Sequence, residues 1–380
     1  MTDGTIVCTM MQDTLLHYLC VGLIVGACML ACRTHAQMLA MLCVLLVVFI
    51  GMTYTFGEDG VLFRGGDPRK LSRETSTLFV SVASYRDTEC KNTVESILSH
   101  ARHPNRVVVV LLANTDDDDE SCVVRAVKDG QIRQISIPYK EARGPCYARY
   151  LCATLHKDED LFIQVDSHSA FVQDWDLLLV DMVNRVPYDL DRFVLTHYPI
   201  DCSDESVVAE LTAQQVPVIN ECRILENQQL SFMSKAFNPP NVGFYTSISV
   251  GGGFLVMHKS VLAKCPYDPN LDGVFNMEEV LQSARFFTHG IHVLSPSANL
   301  VCHKYTYETH KVPWNEATPT WDKGKNGTER CFQLLDGRIV DDTYGLGRER
   351  TMDEFWSYTG IDYANKTVVP FVTNLVPFDG

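Results

Sequence analysis

The chain is poor in basic residues: 32 Lys and Arg stand against 47 Asp and Glu in 380 residues, a formal net charge of −15. Proteins that hold nucleic acid without regard to sequence present basic surface to phosphate, so this balance argues against that class. A phosphate-bearing small molecule held through a divalent cation remains compatible. No CxxC pair occurs among the 14 cysteines, which argues against a structural zinc site. GxxxxGK is absent and no GxGxxG opens a helix, so neither common phosphate loop is present. There is no internal repeat. The first 14 residues contain no Lys or Arg, so the basic leader of a cleaved signal peptide is missing. What remains is a chain 46% apolar and 21% charged, the composition of a globular protein.

Residues 1–56 differ from the rest. Leu15–Cys32 and Met38–Phe56 are apolar runs separated by RTHAQ. The second is long enough to cross a hydrocarbon core, which takes about 20 residues, and is read as a membrane anchor. The first, interrupted by His17, is either a second span or part of one re-entrant segment. A single span with a short cytosolic end places the large domain in the lumen of the ER or Golgi; a hairpin returns it to the cytosol. Arg64, Arg69, Lys70 and Arg73 follow the second run, and positive charge favours the cytosolic side, although large domains translocate largely regardless of it. The lumen ranks first. There, some of the nine cysteines from Cys90 to Cys331 can pair, the odd count leaving at least one thiol. Asn326-Gly327-Thr328 and Asn365-Lys366-Thr367 match the glycosylation acceptor pattern, which has meaning only in that compartment.

Residues 57–75 read as a polar, Gly-containing stem, residues 76–310 as the main domain and 311–380 as an extension that completes it. Within the main domain strand and helix patterns alternate: strands at 78–84, 106–113, 132–138 and 161–166, helices at 88–100 and 145–156. This predicts an α/β fold with a mostly parallel sheet flanked by helices. The acidic run Asp116–Glu120 lacks the alternation and Gly turn of an EF-hand loop and reads as solvated charge at a helix start.

LFIQVDSH (161–168) is an apolar run of strand length that ends in Asp166 and His168. Alternate residues of an extended segment point the same way, so both side chains can address one ion, at the strand end where open α/β sheets hold ligands. A strand-end Asp beside a surface His is the plainer reading of the pair alone. Around it lie SVASYRD (81–87), EARGPCYAR (141–149), Gly251-Gly252-Gly253-Phe254, NMEE (276–279) and a late His303.

In this order the motifs ASYRD, ARGPCYAR, QVDSH, a Gly-rich strand, EE, a late His and YGLG (344–347) resemble the polypeptide α-N-acetylglucosaminyltransferases, from about Leu78 to Tyr363. The resemblance implies a GT-A-like catalytic domain that moves GlcNAc from UDP-GlcNAc to a protein hydroxyl, on Thr, Ser or hydroxyproline, with retention of configuration. A more distant likeness to the mucin-type polypeptide GalNAc transferases implies that Asp166, His168 and His303 bind Mn²⁺ or another divalent cation. Carboxylate and imidazole suit that ion, which would neutralise the leaving UDP.

By the same resemblance Ser84, Tyr85, Arg86 and Asp87 lie on the uridine side, against the alternative of a polar turn capping a helix. Arg143 and Gly144 resemble a segment that approaches the nucleotide sugar; a surface salt bridge is the alternative. Gly252 and Gly253 would lie under sugar and acceptor, where side chains would obstruct, or the three glycines are simply a turn. Glu278 and Glu279 would bind donor hydroxyls or position the acceptor, or they are helix-starting acids. Met277 stands where the family commonly has Gly, which leaves the conformation of that loop open. His197, His289 and His292 read as core or surface histidines, and Trp314 and Trp321 as an acceptor wall or as packing. No side chain is an obvious nucleophile, which points to front-face attack with a UDP phosphate oxygen taking the acceptor proton. Two other classes are consistent with these residues: a catalytically silent membrane scaffold that binds nucleotide sugars or glycoproteins, and a metal-dependent hydrolase.

Overall fold

The computed structural model describes residues 70–116, 130–305 and 324–378. The chain divides into residues 1–68 and a compact unit Arg69–Gly380. Both apolar runs read as a membrane anchor, most of the stem, Asp117–Glu120 and both Trp314 and Trp321 lie outside the described residues. Among those described, no helix is long and apolar enough to cross a membrane.

Sixteen strands are described: β1 (Leu78–Tyr85), β2 (Val107–Thr115), β3 (Ile132–Pro138), β4 (Leu161–Asp166), β5 (Ser169–Phe171), β6 (Phe193–Thr196), β7 (Ile200–Asp201), β8 (Val216–Ile224), β9 (Leu230–Phe237), β10 (Gly243–Thr246), β11 (Phe254–His258), β12 (His292–Ser295), β13 (Val301–His303), β14 (Ile361–Asp362), β15 (Thr367–Val368) and β16 (Leu375–Pro377). The helices are α1 (Cys90–Ser99), α2 (Pro145–Thr154), α3 (Trp175–Asn184), α4 (Lys259–Lys264), α5 (Asn276–Thr288), α6 (Gly324–Leu335) and α7 (Met352–Thr359).

Nine strands form one sheet in the order β16-β10-β12-β6-β11-β4-β1-β2-β3. The block β4-β1-β2-β3 is parallel. Beyond it β11 runs antiparallel to both β4 and β6, β12 lies parallel to β6, and β10 is antiparallel to β12 and β16. The sheet is therefore mixed, and the expectation of a mostly parallel one holds only for its first half. After β4 one more helix crossover, through α3, leads to β6 in the same direction; the chain then runs through β7, the β8–β9 hairpin and β10 before β11 inserts between β4 and β6 from the opposite direction.

Strand alternation explains the two-sided burial. Leu78, Val80 and Val82 of β1 face a core with Val94 and Ile97 of α1 and Leu179 and Val183 of α3. Phe79 faces the other layer, with Ala148 and Cys152 of α2 and Val261 of α4. A third core joins α5, α6 and α7 to the hairpin through residues including Leu230, Phe232, Val280, Cys331 and Phe355. Residues after 323 are thus part of the same body, with β16 as its edge strand. One buried ion pair ties the first half together: Asp176 of α3 accepts from Arg106 Nη2 at 2.9 Å and from the backbone N–H groups of Arg102 and His103.

Candidate active site

From β1 the chain crosses through α1 to β2 on one side, while β4 pairs on the other side of β1. Strand order reverses there, and the carboxyl ends of strands at such a switch point are where α/β sheets hold ligands. Tyr85 and Asp87 leave β1 into it; Asp166 and His168 leave β4. A cavity of about 390 Å³ occupies this position.

Three side chains converge in the cavity. His168 Nε2 lies 2.8 Å from His303 Nε2, and His303 Nε2 lies 3.2 Å from Asp166 Oδ2. His303 arrives on β13, which pairs with β5 and with β7. The other nitrogen of His168, Nδ1, is 2.7 Å from Asp87 Oδ2, which also accepts from Ser167 Oγ. A carboxylate only accepts, so Nδ1 carries the proton and Nε2 is aimed at the cluster. Burial works against charge on His168, but the bond to Asp87 and the nearby carboxylates hold its pKa above the ordinary value. Burial likewise opposes charge on Asp166, yet the His303 contact and the Arg149 guanidinium hold it well below the usual carboxylate range.

The donors of Asp166, His168 and His303 lie within 4.8 Å of one another. Two imidazole nitrogens facing each other across 2.8 Å, one with its tautomer fixed by an outer carboxylate, beside a carboxylate oxygen, form a donor set that fits a divalent cation of intermediate softness. Among the described residues His303 Nδ1 is buried without a hydrogen-bond partner.

Arg149 of α2 is the hub of the opposite wall. Its guanidinium pairs with Glu278, with Asp166 Oδ1 at 3.3 Å, and donates to the Gly252 carbonyl at 3.1 Å. Burial disfavours its charge, but Glu278 and Asp166 more than compensate and keep its proton bound. Gln164 Nε2 donates to the same carbonyl at 2.6 Å, and Tyr267 OH donates to Gln164 Oε1 at 2.5 Å. Glu279 accepts from the Gly252 N–H at 2.8 Å and from the Tyr198 hydroxyl. Burial pushes Glu279 up to about 7, against the pull of those two bonds.

The glycines have a steric role. A Cβ on Gly252 would lie 3.1 Å from Arg149 Nη2, and one on Gly253 3.2 Å from Pro199 Cδ and 3.4 Å from Asp166 Oδ2. Gly144 has φ +90, and its Cβ would meet the Gly273 backbone at 3.2 Å.

The structure brings together Tyr85, Asp87, Asp166, His168, Gly252, Gly253, Glu278, Glu279 and His303 around one cavity. Four other residues singled out from the sequence do not line it. Ser84 is buried in β1. Arg86 turns over the Tyr139 ring, 4.2 Å from its centroid. Arg143 pairs with Asp272 at 2.6 Å and stacks on Tyr147, and Gly144 serves the close approach of two backbones. Met277 is buried among the α5–α7 core residues. His197 is a core histidine whose pKa burial lowers to about 3; His289 bonds the Arg285 carbonyl and His292 stacks on Tyr188.

Arg149, Tyr198 and Tyr305 were not singled out from the sequence. Tyr305 packs on His303 with ring centroids 4.1 Å apart. For Arg149 a signal existed: Cys146, Arg149 and Cys152 are spaced by three along one buried helix face, so a charge interrupts an apolar stripe. The two tyrosines carry no such mark.

Among solved structures, GalNAc-T7 with UDP, GalNAc and Mn²⁺ aligns at a TM-score of 0.45 and 14% identity, over 74% of this chain and 55% of that one, so this chain spans little more than half its length. Staphylococcus aureus TarS 1–349 in complex with UDP-GlcNAc aligns at 0.41 and 10% identity, over 70% of this chain and 68% of that one. The same TarS fragment without that ligand in its description aligns at 0.39 and 12% identity, over 60% of each chain. No curated protein matches. The profile of the family described as Glycosyltransferase (GlcNAc) matches residues 77–129 and 123–365. These segments take in every residue that lines the cavity, and the chain belongs to that glycosyltransferase family.

Proposed function

We propose that the chain is a polypeptide α-GlcNAc-transferase of GT-A type, moving GlcNAc from UDP-GlcNAc to a hydroxyl of a protein acceptor with retention of configuration. The observation that carries this reading is the convergence of Asp166, His168 and His303 at the carboxyl ends of β1 and β4, facing a wall of Arg149, Glu278 and Glu279 across two glycines.

In this reading Asp166, His168 and His303 hold the divalent cation, which when bound offsets the charge that develops on the leaving UDP. Asp87 fixes His168 in its ligating tautomer. Tyr85 and Asp87 border the nucleotide end. Gly252 and Gly253 leave room for the sugar, whose hydroxyls meet Glu278 and Glu279, and Arg149 holds Glu278 and Asp166 at a fixed separation. The carboxylates on both sides of the sugar space are already engaged: Asp166 by Arg149 and His303, Glu278 by Arg149, Glu279 by Tyr198 and Gly252. That supports front-face attack, with a UDP phosphate oxygen taking the acceptor proton, over a covalent glycosyl-enzyme. The Cys202–Cys302 disulfide supports a lumenal, oxidising location, in keeping with a membrane-anchored ER or Golgi enzyme.

The test is UDP release by the full-length chain across UDP-sugars, with and without Mn²⁺ and with Thr-rich or hydroxyproline peptides. Manganese-dependent release from UDP-GlcNAc, raised by peptide and lost in Asp166→Asn, is expected. Release indifferent to peptide would indicate a hydrolase, and no release with any donor a binding scaffold.

A further inference from the structure

His303 stands on a slight support. β13 has three residues, and its register pairs His303 with Ser169 of β5 and with Asp201 of β7. One residue before it, Cys302 is disulfide-bonded to Cys202 across 100 positions of sequence. Both cysteines are fully buried, and the Cys202 N–H donates to the His303 carbonyl at 3.1 Å. The covalent link and this hydrogen bond therefore hold the same short stretch of backbone. On its other side the Lys304 N–H donates to the His168 carbonyl at 2.9 Å, so the two histidines share one scaffold. Of the other cysteines among the described residues, Cys90 is also disulfide-bonded, while Cys146, Cys152, Cys222, Cys265 and Cys331 are free thiols. The Cys202–Cys302 bond is the one that falls beside a residue of the candidate metal cluster.

We propose that the Cys202–Cys302 disulfide is a positioning element that sets His303 for cation binding, so that divalent-cation affinity depends on the oxidation state of this pair. The inference rests on the metal-site reading above. Breaking the bond leaves β13 tied to two-residue β7 by main-chain hydrogen bonds alone. Drift of Nε2 by about 1 Å then takes a nitrogen out of ligating distance, because such bonds tolerate roughly 0.2 Å. Reduction by a phosphine delivers two electrons to the disulfide and cleaves S–S; each sulfur takes a proton, and the phosphine leaves as its oxide with oxygen from water.

The experiment titrates Mn²⁺ into the full-length chain without nucleotide and follows the loss of the free Mn²⁺ electron paramagnetic resonance signal. It compares the oxidised protein, the C202A/C302A variant, and protein reduced under native conditions and freed of phosphine. Binding weaker by about tenfold or more is expected in the last two, the scale of losing a ligand's outer support, with native near-UV circular dichroism and recovery on reoxidation. Equal affinity in all three would overturn the proposal. If the variant does not fold, the reduced protein decides, compared with a Cys90→Ala variant because the phosphine opens the Cys90 disulfide as well; if the reduced protein too loses its near-UV signal, the bond serves the fold as a whole and the proposal fails. Oxidised protein that binds no Mn²⁺ would instead sink the metal-site reading on which the inference rests.

Discussion

Glu279 offers a quantitative test of the electrostatics of the wall. Its carboxyl is raised from 4.5 to about 7 by burial beside Glu278. With about 1.4 kcal/mol for each tenfold change in ionisation, ionising Glu279 in the folded chain costs about 3 kcal/mol more than in the unfolded one. The sign follows from proton uptake. Between 4.5 and 7 the folded state holds a proton that the unfolded state has released, so this group lowers stability as pH rises through that window. Below it the penalty is absent, and above it the penalty is fully present. Glu279→Gln keeps the shape, an acceptor for the Gly252 N–H and a polar partner for the Tyr198 hydroxyl, but cannot ionise. Chemical denaturation of both proteins at pH 5 and pH 8, without metal, should show the variant gaining on the parent by roughly 2–3 kcal/mol between the two pH values. Other titrations cancel in that comparison. A stability difference that does not change with pH would refute the argument.

Three further outcomes are expected. Asp87→Asn replaces the acceptor of the His168 Nδ1 proton and should weaken Mn²⁺ binding by about 10–100-fold, read by metal titration with an unchanged melting temperature. Gly253→Ala places a methyl group 3.4 Å from Asp166 Oδ2 and should raise the KM for UDP-GlcNAc by about tenfold, equivalent to about 1.4 kcal/mol, read by steady-state kinetics. Asp176→Asn removes the charge paired with buried Arg106 and should cost about 3–5 kcal/mol of stability in chemical denaturation, while Mn²⁺ affinity stays at the parent value because the pair lies outside the site.

The elements that build the crevice were legible in the sequence because they are local. LFVSVASY and LFIQVD are apolar runs of strand length, and their last residues, Tyr85 and Asp166, line the cavity. Asp166 and His168 could be paired from strand geometry alone, whereas His303 lies 135 residues beyond His168 and needed the resemblance. The parallel order was readable only as far as β4: β6 keeps its direction, but β11 inserts between β4 and β6 in the opposite one, an arrangement fixed by tertiary packing and not by the strand's own pattern. The ARGPCYAR segment shows the same limit at the level of one side chain. Arg143 and Arg149 both stand in it, but helical geometry turns Arg149 inward to three acceptors, whereas Arg143, ahead of the helix, pairs with Asp272. Tyr198 and Tyr305 reach the site from loops whose course nothing local determines.

The central claim is that Asp166, His168 and His303 hold the cation that carries the donor. Crystals of the chain grown with Mn²⁺ and UDP-GlcNAc test it directly through manganese anomalous scattering. One peak within ligand distance of Asp166 Oδ, His168 Nε2 and His303 Nε2, beside the diphosphate, is the result the account expects. Donor bound in the cavity with no manganese peak at these three atoms would contradict it.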